Sequence, residues 1–184
     1  MAISLNGYVA DESGSEDFIS HANWETFCAL AREKGSFIIG RKTLDAVKNW
    51  DVDYGFDDLA DVTRVVLTSG ANSLPEGYIV ASSPQHALQI VGHQGKKFAL
   101  ITGGPTVNSS FMKERLVDEI VFNIEPVVIG KGKSVFTPES FQANLEFNSV
   151  KELADGIIQV RYKVKKRSLP RHLIKEKEGA LKTL

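Results

Sequence analysis

FALITGGPTVNSSFM (residues 98–112) is the stretch that decides the fold. Its first four residues form a continuous apolar run, the pattern of a central, mostly parallel strand covered on both faces. Gly103 and Gly104 let the backbone take unusual dihedrals and let a ligand approach main-chain atoms closely. Pro105 suits the first position of a helix, where its missing N–H would have had no partner. The N–H groups of Thr106, Val107 and Asn108 then point out of the sheet's carboxyl edge, which favours an anion such as a pyrophosphate. A tight strand-to-helix connection without a ligand would have the same local sequence, so the other junctions of the chain must decide.

Residues 36–40 (SFIIG) read as a second buried strand, and Arg41-Lys42-Thr43 opens a helix that continues through Leu44, Val47 and Trp50. Two cations at a helix start oppose the macrodipole. A bound phosphate resolves that conflict by pairing with both the cations and the amides; a solvated Arg-Lys pair is the alternative. Residues 64–69 (RVVLTS) form a third buried strand, ending in the hydroxyls of Thr68 and Ser69 before Gly70. Gly40, Ser69 and Gly103 thus mark three strand ends of one kind.

Residues 1–10 (MAISLNGYVA) read as a short apolar strand interrupted by the turn pair Asn6-Gly7, the signature of a hairpin. A strand on the first residue has no lead-in, so either it is short or the start lies upstream. Residues 11–17 (DESGSED) form a polar, mobile loop. Residues 23–34 (NWETFCALAREK) make an amphipathic helix capped by Asn23, with Trp24, Phe27, Cys28 and Ala31 on one face. Cys28 is a core thiol on this reading, and Glu25 complements the dipole in the first turn.

Residues 49–61 are an acidic, aromatic surface segment, 78–82 a short strand, and 84–93 a helix. His86 and His93 lie seven apart on it with no third ligand, so no metal site is expected. After a helix over 106–116, residues 119–129 (EIVFNIEPVVI) return to strand, with Pro126 marking an edge or bulge. Residues 130–133 (GKGK) are a flexible basic loop that holds an anion or simply turns. Residues 144–150 and 156–165 alternate around Ala154-Asp155-Gly156 as a closing antiparallel hairpin. Residues 166–184 form a charged tail with some helix. The sum is an α/β sheet, mostly parallel, with a reversed edge.

The chain has 184 residues, enough for one domain, with 42% hydrophobic and 24% charged residues. A net charge of −1 gives no support for a nucleic-acid or membrane partner. One cysteine excludes a disulfide framework and fits a reducing cytoplasm, and no apolar run is long enough to span a bilayer. P-loop, G-x-G-x-x-G, G-x-S-x-G, H-E-x-x-H and zinc-deaminase signatures are all absent.

Residues 3–10 (ISLNGYVA), 39–43 (IGRKT), 66–69 (VLTS) and 101–104 (ITGG) come in the order and spacing of the dihydrofolate-reductase-like superfamily. With 116–120 (LVDEI) and 126–132 (PVVIGKG), residues 1–165 most resemble the reductase domain of riboflavin biosynthesis and its stand-alone relatives. The resemblance implies a mixed, largely parallel sheet of about eight strands, NADPH as cofactor and a small heterocyclic substrate reduced at C=N or C=O. By position, Gly40, Arg41, Lys42 and Thr43 would hold phosphates, with Arg41 near the 2′-phosphate. Thr68 and Ser69 would border the adenosine end. Gly103 and Gly104, joined by a cis peptide in this superfamily, would lie beside nicotinamide and pyrophosphate, and Pro105, Thr106 and Val107 would complete the helix-end site. Homodimerisation through the C-terminal strands is also implied.

The pattern has departures. Asn6 stands where the riboflavin branch has Asp; asparagine positions a substrate by hydrogen bonding but is no acid near pH 7. The branch's Asp-Asp-Pro is absent, leaving Asp45, Asp51 and Asp53 nearby, while Lys131 and Lys133 are candidates for a phosphoribosyl group. Folate reductases carry an acid early in the first long helix, close to Glu25. Asn6 and Glu25 are therefore the candidate catalytic residues. The expected activity is an NADPH-dependent reductase acting on a pterin- or pyrimidine-like ring; the alternatives are the riboflavin-pathway reductase itself and an inactive NADPH-binding protein.

Overall fold

The computed structural model of the protein describes residues 1–47, 55–70 and 74–166, with only the main chain of Asp57. In chain order these form β1 (Ala2–Ser4), β2 (Tyr8–Asp11), α1 (His21–Lys34), β3 (Ser36–Gly40), α2 (Arg41–Val47), β4 (Thr63–Leu67), β5 (Tyr78–Ala81), α3 (Pro84–His93), β6 (Leu100–Ile101), α4 (Pro105–Lys113), β7 (Glu119–Glu125), β8 (Gly132–Ser134), β9 (Leu145–Glu152) and β10 (Ile158–Val164). Strands run β5-β4-β3-β6 in one sheet, all parallel. A second sheet runs β1-β7-β10-β9, parallel between β1 and β7 and antiparallel beyond. β2 and β8 pair antiparallel. The α/β class, the parallel centre and the reversed C-terminal end are as the sequence predicts.

All five residues of β3 are buried, because both faces are covered. Phe37 and Ile39 pack with Leu44, Val47, Phe56 and Leu59 under helix α1. Ile38 and Val65 meet α3 and α4 through Ala87, Val91, Val107 and Phe111. Each fully buried side chain of this size contributes about 1.5–3 kcal/mol, which fixes the strand ends that carry the glycines.

Several local expectations change. β6 is two residues long and, among the described residues, pairs with β3 alone, so it is an edge strand there rather than a central one. Phe98 is 59% exposed, with Lys34 Nζ 4.9 Å from its ring centre. With no described strand on its far side, the apolar run frays before it reaches Phe98. Gly7 makes the expected turn, N–H to Ser4 O at 2.9 Å with φ +88°. Yet β1 and β2 then enter different sheets, so the pair is no hairpin.

Helix α1 starts at His21 after Ser20, and Asn23 is buried within it instead of capping it. The 11–17 loop is pinned: Asp11 Oδ1 accepts from Ser13 Oγ at 2.6 Å and from the N–H groups of Gly14 and Ser15 at 2.9 Å. The Ser13 and Ser15 bonds hold its carboxyl below the usual range. Phe56 and Leu59, expected at the surface, are core residues, because Phe56 stacks among Trp24, Phe27 and Phe37 at 5.1–5.8 Å. Gly132 and Lys133 belong to β8 rather than a loop, and β7 ends at Glu125 before Pro126. Trp50, Asp51, Asp53 and the tail over 167–184 lie outside the described residues.

Candidate functional site

Two strand-to-helix junctions meet at one point. β3 passes into α2 without an intervening residue, Gly40 being followed by the first helical position, Arg41. Beside it, Gly40 N–H donates to Gly103 O at 2.8 Å, and Thr102 N–H donates to Ile38 O at 2.9 Å. The Gly103–Gly104 peptide is cis, and Gly103 has φ +98°, a backbone region that favours glycine. A Cβ on Gly40 would lie 2.9 Å from Val107 Cγ2 and 3.5 Å from Gly104 N; one on Gly104 would lie 2.8 Å from Thr43 Oγ1. Absence of side chains therefore lets the starts of α2 and α4 close on each other. Gly40, Arg41, Lys42, Thr43 and residues 103–107 are brought together.

Thr68 and Ser69 follow β4 at the adjoining strand end, since Leu67 is level with Gly40. Thr68 is fixed there by its N–H to Ala81 O at 3.0 Å and by its Oγ1, which accepts Gly70 N–H at 3.1 Å. The first N–H groups of α4 have no partner within the helix, and its dipole is positive at that end. Lys42 is exposed, and Arg41 Nε reaches both carboxylate oxygens of Asp45, at 3.0 and 2.9 Å. Asp45 thus answers part of the charge conflict read from the sequence. Cations, hydroxyls and helix-end amides at the carboxyl edge of parallel strands make a donor set that fits the phosphates of a dinucleotide.

Asn6 and Glu25 are not drawn into this junction. The Asn6 carboxamide clamps the main chain of Ile129, with Nδ2 donating to its O at 2.7 Å and Oδ1 accepting its N–H at 3.1 Å. Ser4 Oγ donates to the same Oδ1 at 2.9 Å. Glu25 has a 70% exposed side chain, with His21 Nε2 at 3.6 Å one turn earlier. Cys28 is half-buried, and burial pushes its thiol up. Lys131 pairs with Glu12. Glu16, in the 11–17 loop, is pushed up to about 7 by burial, against an opposing pull from Lys133.

Sequence reasoning missed a buried polar chain beside α1. Glu125, only 3% exposed, accepts Ser20 N–H at 2.8 Å and Asn23 Nδ2 on the same oxygen. Asn123 Nδ2 donates to Asn23 Oδ1 at 2.6 Å, Gln159 Nε2 to Asn123 Oδ1 at 2.8 Å, and Arg161 Nε to Gln159 Oε1 at 3.0 Å. Burial of these groups is tolerated because each finds a partner. The signal was present in β7, where Asn123 and Glu125 fall two apart on one face of a strand whose other face, Ile120, Phe122 and Ile124, is apolar.

Fold and junction together define an α/β protein of the dihydrofolate-reductase-like kind, with its candidate ligand site at the carboxyl edge of the parallel strands. The family profile described as the RibD C-terminal domain matches residues 1–159, and the chain belongs to that family. The YwjB protein of Bacillus subtilis is 24% identical over 168 residues, covering 88% of this chain and 94% of its own. The fold is shared with a protein of Shewanella sp. PV-4 provisionally assigned to riboflavin biosynthesis: TM-score 0.74, 23% identity, 90% of this chain and 97% of that one. It is also shared with the diaminohydroxyphosphoribosylaminopyrimidine deaminase/5-amino-6-(5-phosphoribosylamino)uracil reductase of Thermotoga maritima, at TM-score 0.69 and 17% identity. That match covers 89% of this chain and 55% of the Thermotoga protein, so the chain spans about half its length. Among the described residues, no helix is long and apolar enough to cross a membrane.

Proposed function

We propose that the protein is an NADPH-dependent reductase that delivers hydride to a C=N or C=O bond of a small pterin- or pyrimidine-like ring. The observation that carries this reading is the meeting of the β3–α2 and β6–α4 junctions, where Gly40 N–H bonds Gly103 O at 2.8 Å. Gly40, Lys42, Thr43 and residues 105–107 would hold the phosphates, and Arg41 the 2′-phosphate that separates NADPH from NADH. The Arg41–Asp45 pair is an i,i+4 pair near the surface, worth about 0.3–0.5 kcal/mol, so a phosphate dianion displaces Asp45 at little cost. Thr68 and Ser69 would border the adenosine, and Gly103 and Gly104 would let the nicotinamide end approach the main chain.

When bound, the cofactor supplies the hydride; the chain has only to orient the two rings, exclude water and let a proton arrive. In this reading Asn6 acts through Ile129, holding the turn after β1 against the loop after β7. Glu25 faces solvent, with its side chain 70% exposed. Family membership and the reductase named for the Thermotoga relative support the reaction class. The test is NADPH consumption across a panel of pterins and pyrimidines, the phosphoribosylaminouracil included. Turnover of a ring compound supports the proposal, and turnover of the phosphoribosyl compound alone would make this the riboflavin-pathway reductase. Tight NADPH binding without turnover of any member would contradict the reductase and leave a binding protein.

A further inference from the structure

Among the described residues β9 is the longest strand, with eight residues, and it closes the β1-β7-β10-β9 sheet with β10 as its one neighbour. Every residue of β9 is exposed. The register sets Leu145 beside Val164, Phe147 beside Tyr162, Val150 beside Val160 and Glu152 beside Ile158, so these side chains share one face. On it Phe147 is 59% and Val150 55% exposed, Leu145 and Ile158 are exposed as well, and the rings of Phe147 and Tyr162 meet edge to face at 5.9 Å. Single exposed apolar residues are ordinary, but a contiguous stripe along an unpaired edge marks an interaction surface.

The main chain of β9 shows what fits that edge. Leu153 N–H donates to Ile157 O at 2.8 Å and Lys165 N–H to Asn144 O at 2.8 Å, which fixes the hydrogen-bond phase at both ends of the β9–β10 ladder. Between them the register skips Asn148, a bulge opposite Arg161 and Tyr162. In that phase Glu146, Ser149 and Lys151 turn their main-chain groups to β10, while Leu145, Phe147, Val150 and Glu152 turn theirs outward. The outward set is symmetric about the Asn148–Ser149 peptide, the midpoint of β9. An antiparallel copy of the same edge therefore meets it with Phe147 opposite Val150, Leu145 opposite Glu152, and Glu146 opposite Lys151. Without the bulge the strand would meet its copy about a residue instead, and Glu146 and Lys151 would not be opposed.

We propose that β9 pairs antiparallel with β9 of a second copy of this chain, about a twofold axis at the Asn148–Ser149 peptide, and joins two four-stranded sheets into one. Phe147 packs on Val150 of the second copy, and Val150 on its Phe147, so the apolar stripe runs unbroken across the axis. On the opposite face Glu146 meets Lys151 of the second copy, twice by symmetry, and no like charges stand directly opposed. This match of the edge to itself, in charge as well as in apolar contact, is the reason the occupant is another copy rather than an unrelated strand. A long, exposed edge without proline is an aggregation hazard unless it is paired, and pairing about a twofold axis closes it.

The test is sedimentation of the parent, of Phe147→Glu, of Glu146→Lys, of Lys151→Glu, and of the double reversal that carries both charge changes. All three positions are exposed, so the variants keep the fold, which circular dichroism checks. The parent is expected to sediment as a dimer and Phe147→Glu as a monomer. Each single reversal sets like charges across the axis twice and is expected to weaken the dimer by about tenfold, and the double reversal to restore it. Amide exchange at Phe147 and Val150 is expected to slow as the parent dimerises. A parent that stays monomeric would overturn the proposal, as would a dimer that none of the single changes weakens. Loss with Phe147→Glu alone would overturn the edge pairing in favour of packing through the apolar face. Single reversals that weaken the dimer without recovery in the double reversal would refute the register.

Discussion

Different forces hold the parallel half around β3, whose five residues are all buried, and the mixed half around β7, where burial alternates with partial exposure. β3 is flanked by hydrocarbon on both faces, and its functional end is shaped by missing side chains, with Gly40, Gly103 and Gly104 letting two helix starts converge. β7 is apolar on one face and polar on the other, where Asn123 and Glu125 run a hydrogen-bonded chain from Ser20 to Arg161. Packing errors in the first half are steric and local. Errors in the second leave orphaned donors and acceptors, which cost more than the bonds themselves are worth.

The sharpest way to break this contrast is Asn123→Ala. It leaves Asn23 Oδ1 and Gln159 Nε2 without their partner, and two buried orphans at about 1–3 kcal/mol each predict a loss near 3 kcal/mol in urea unfolding. A loss under about 1 kcal/mol would mean that the network is not what holds this half. Gly40→Ala comes next. Its new methyl meets Val107 Cγ2, and overpacking predicts a cost of about 1–3 kcal/mol together with weaker nucleotide binding. Adding Val107→Ala relieves the overlap, so the two substitutions must be less than additive; strict additivity would refute the steric account.

A smaller effect separates the loop that bridges the halves. Glu16 binds its proton more tightly in the folded protein, at about 7, than at its ordinary value of 4.5. Its contribution to stability is therefore full below about pH 4.5 and is lost as pH rises through 7. Glu16→Gln is expected to flatten this part of the Tm–pH curve and to lie a few degrees above the parent at pH 8. Parallel curves for the two proteins would contradict it. The smallest effect is that of Asn6→Ala, about 0.5–1.5 kcal/mol, with faster amide exchange at Ile129 as its specific mark.

Residues that act through local grammar were legible in the sequence. A strand, a glycine and a helix start are contiguous, so both junctions could be read directly, and their convergence followed from the parallel sheet. What depended on partners far along the chain could not be read. Asn23 has the composition of a cap, yet Asn123 and Glu125, about a hundred residues away, draw it inside. Glu25 satisfies the spacing of a first-turn acid, but helix α1 starts at His21, two residues earlier than its composition indicates, and leaves Glu25 beyond the first turn. Phe56 and Leu59 sit among acids that mark a surface, but a 3-10 turn folds both into the core beneath Trp24 and Phe27.

The central claim is that the meeting of the β3–α2 and β6–α4 junctions binds NADPH. Calorimetric titration with NADPH and NADH, on the parent and on Arg41→Ala, tests it most directly. The account predicts tighter binding of NADPH than NADH, and a loss of about tenfold or more for NADPH in the variant with little change for NADH. Binding of neither nucleotide by the parent, or an equal loss for both in the variant, would contradict it.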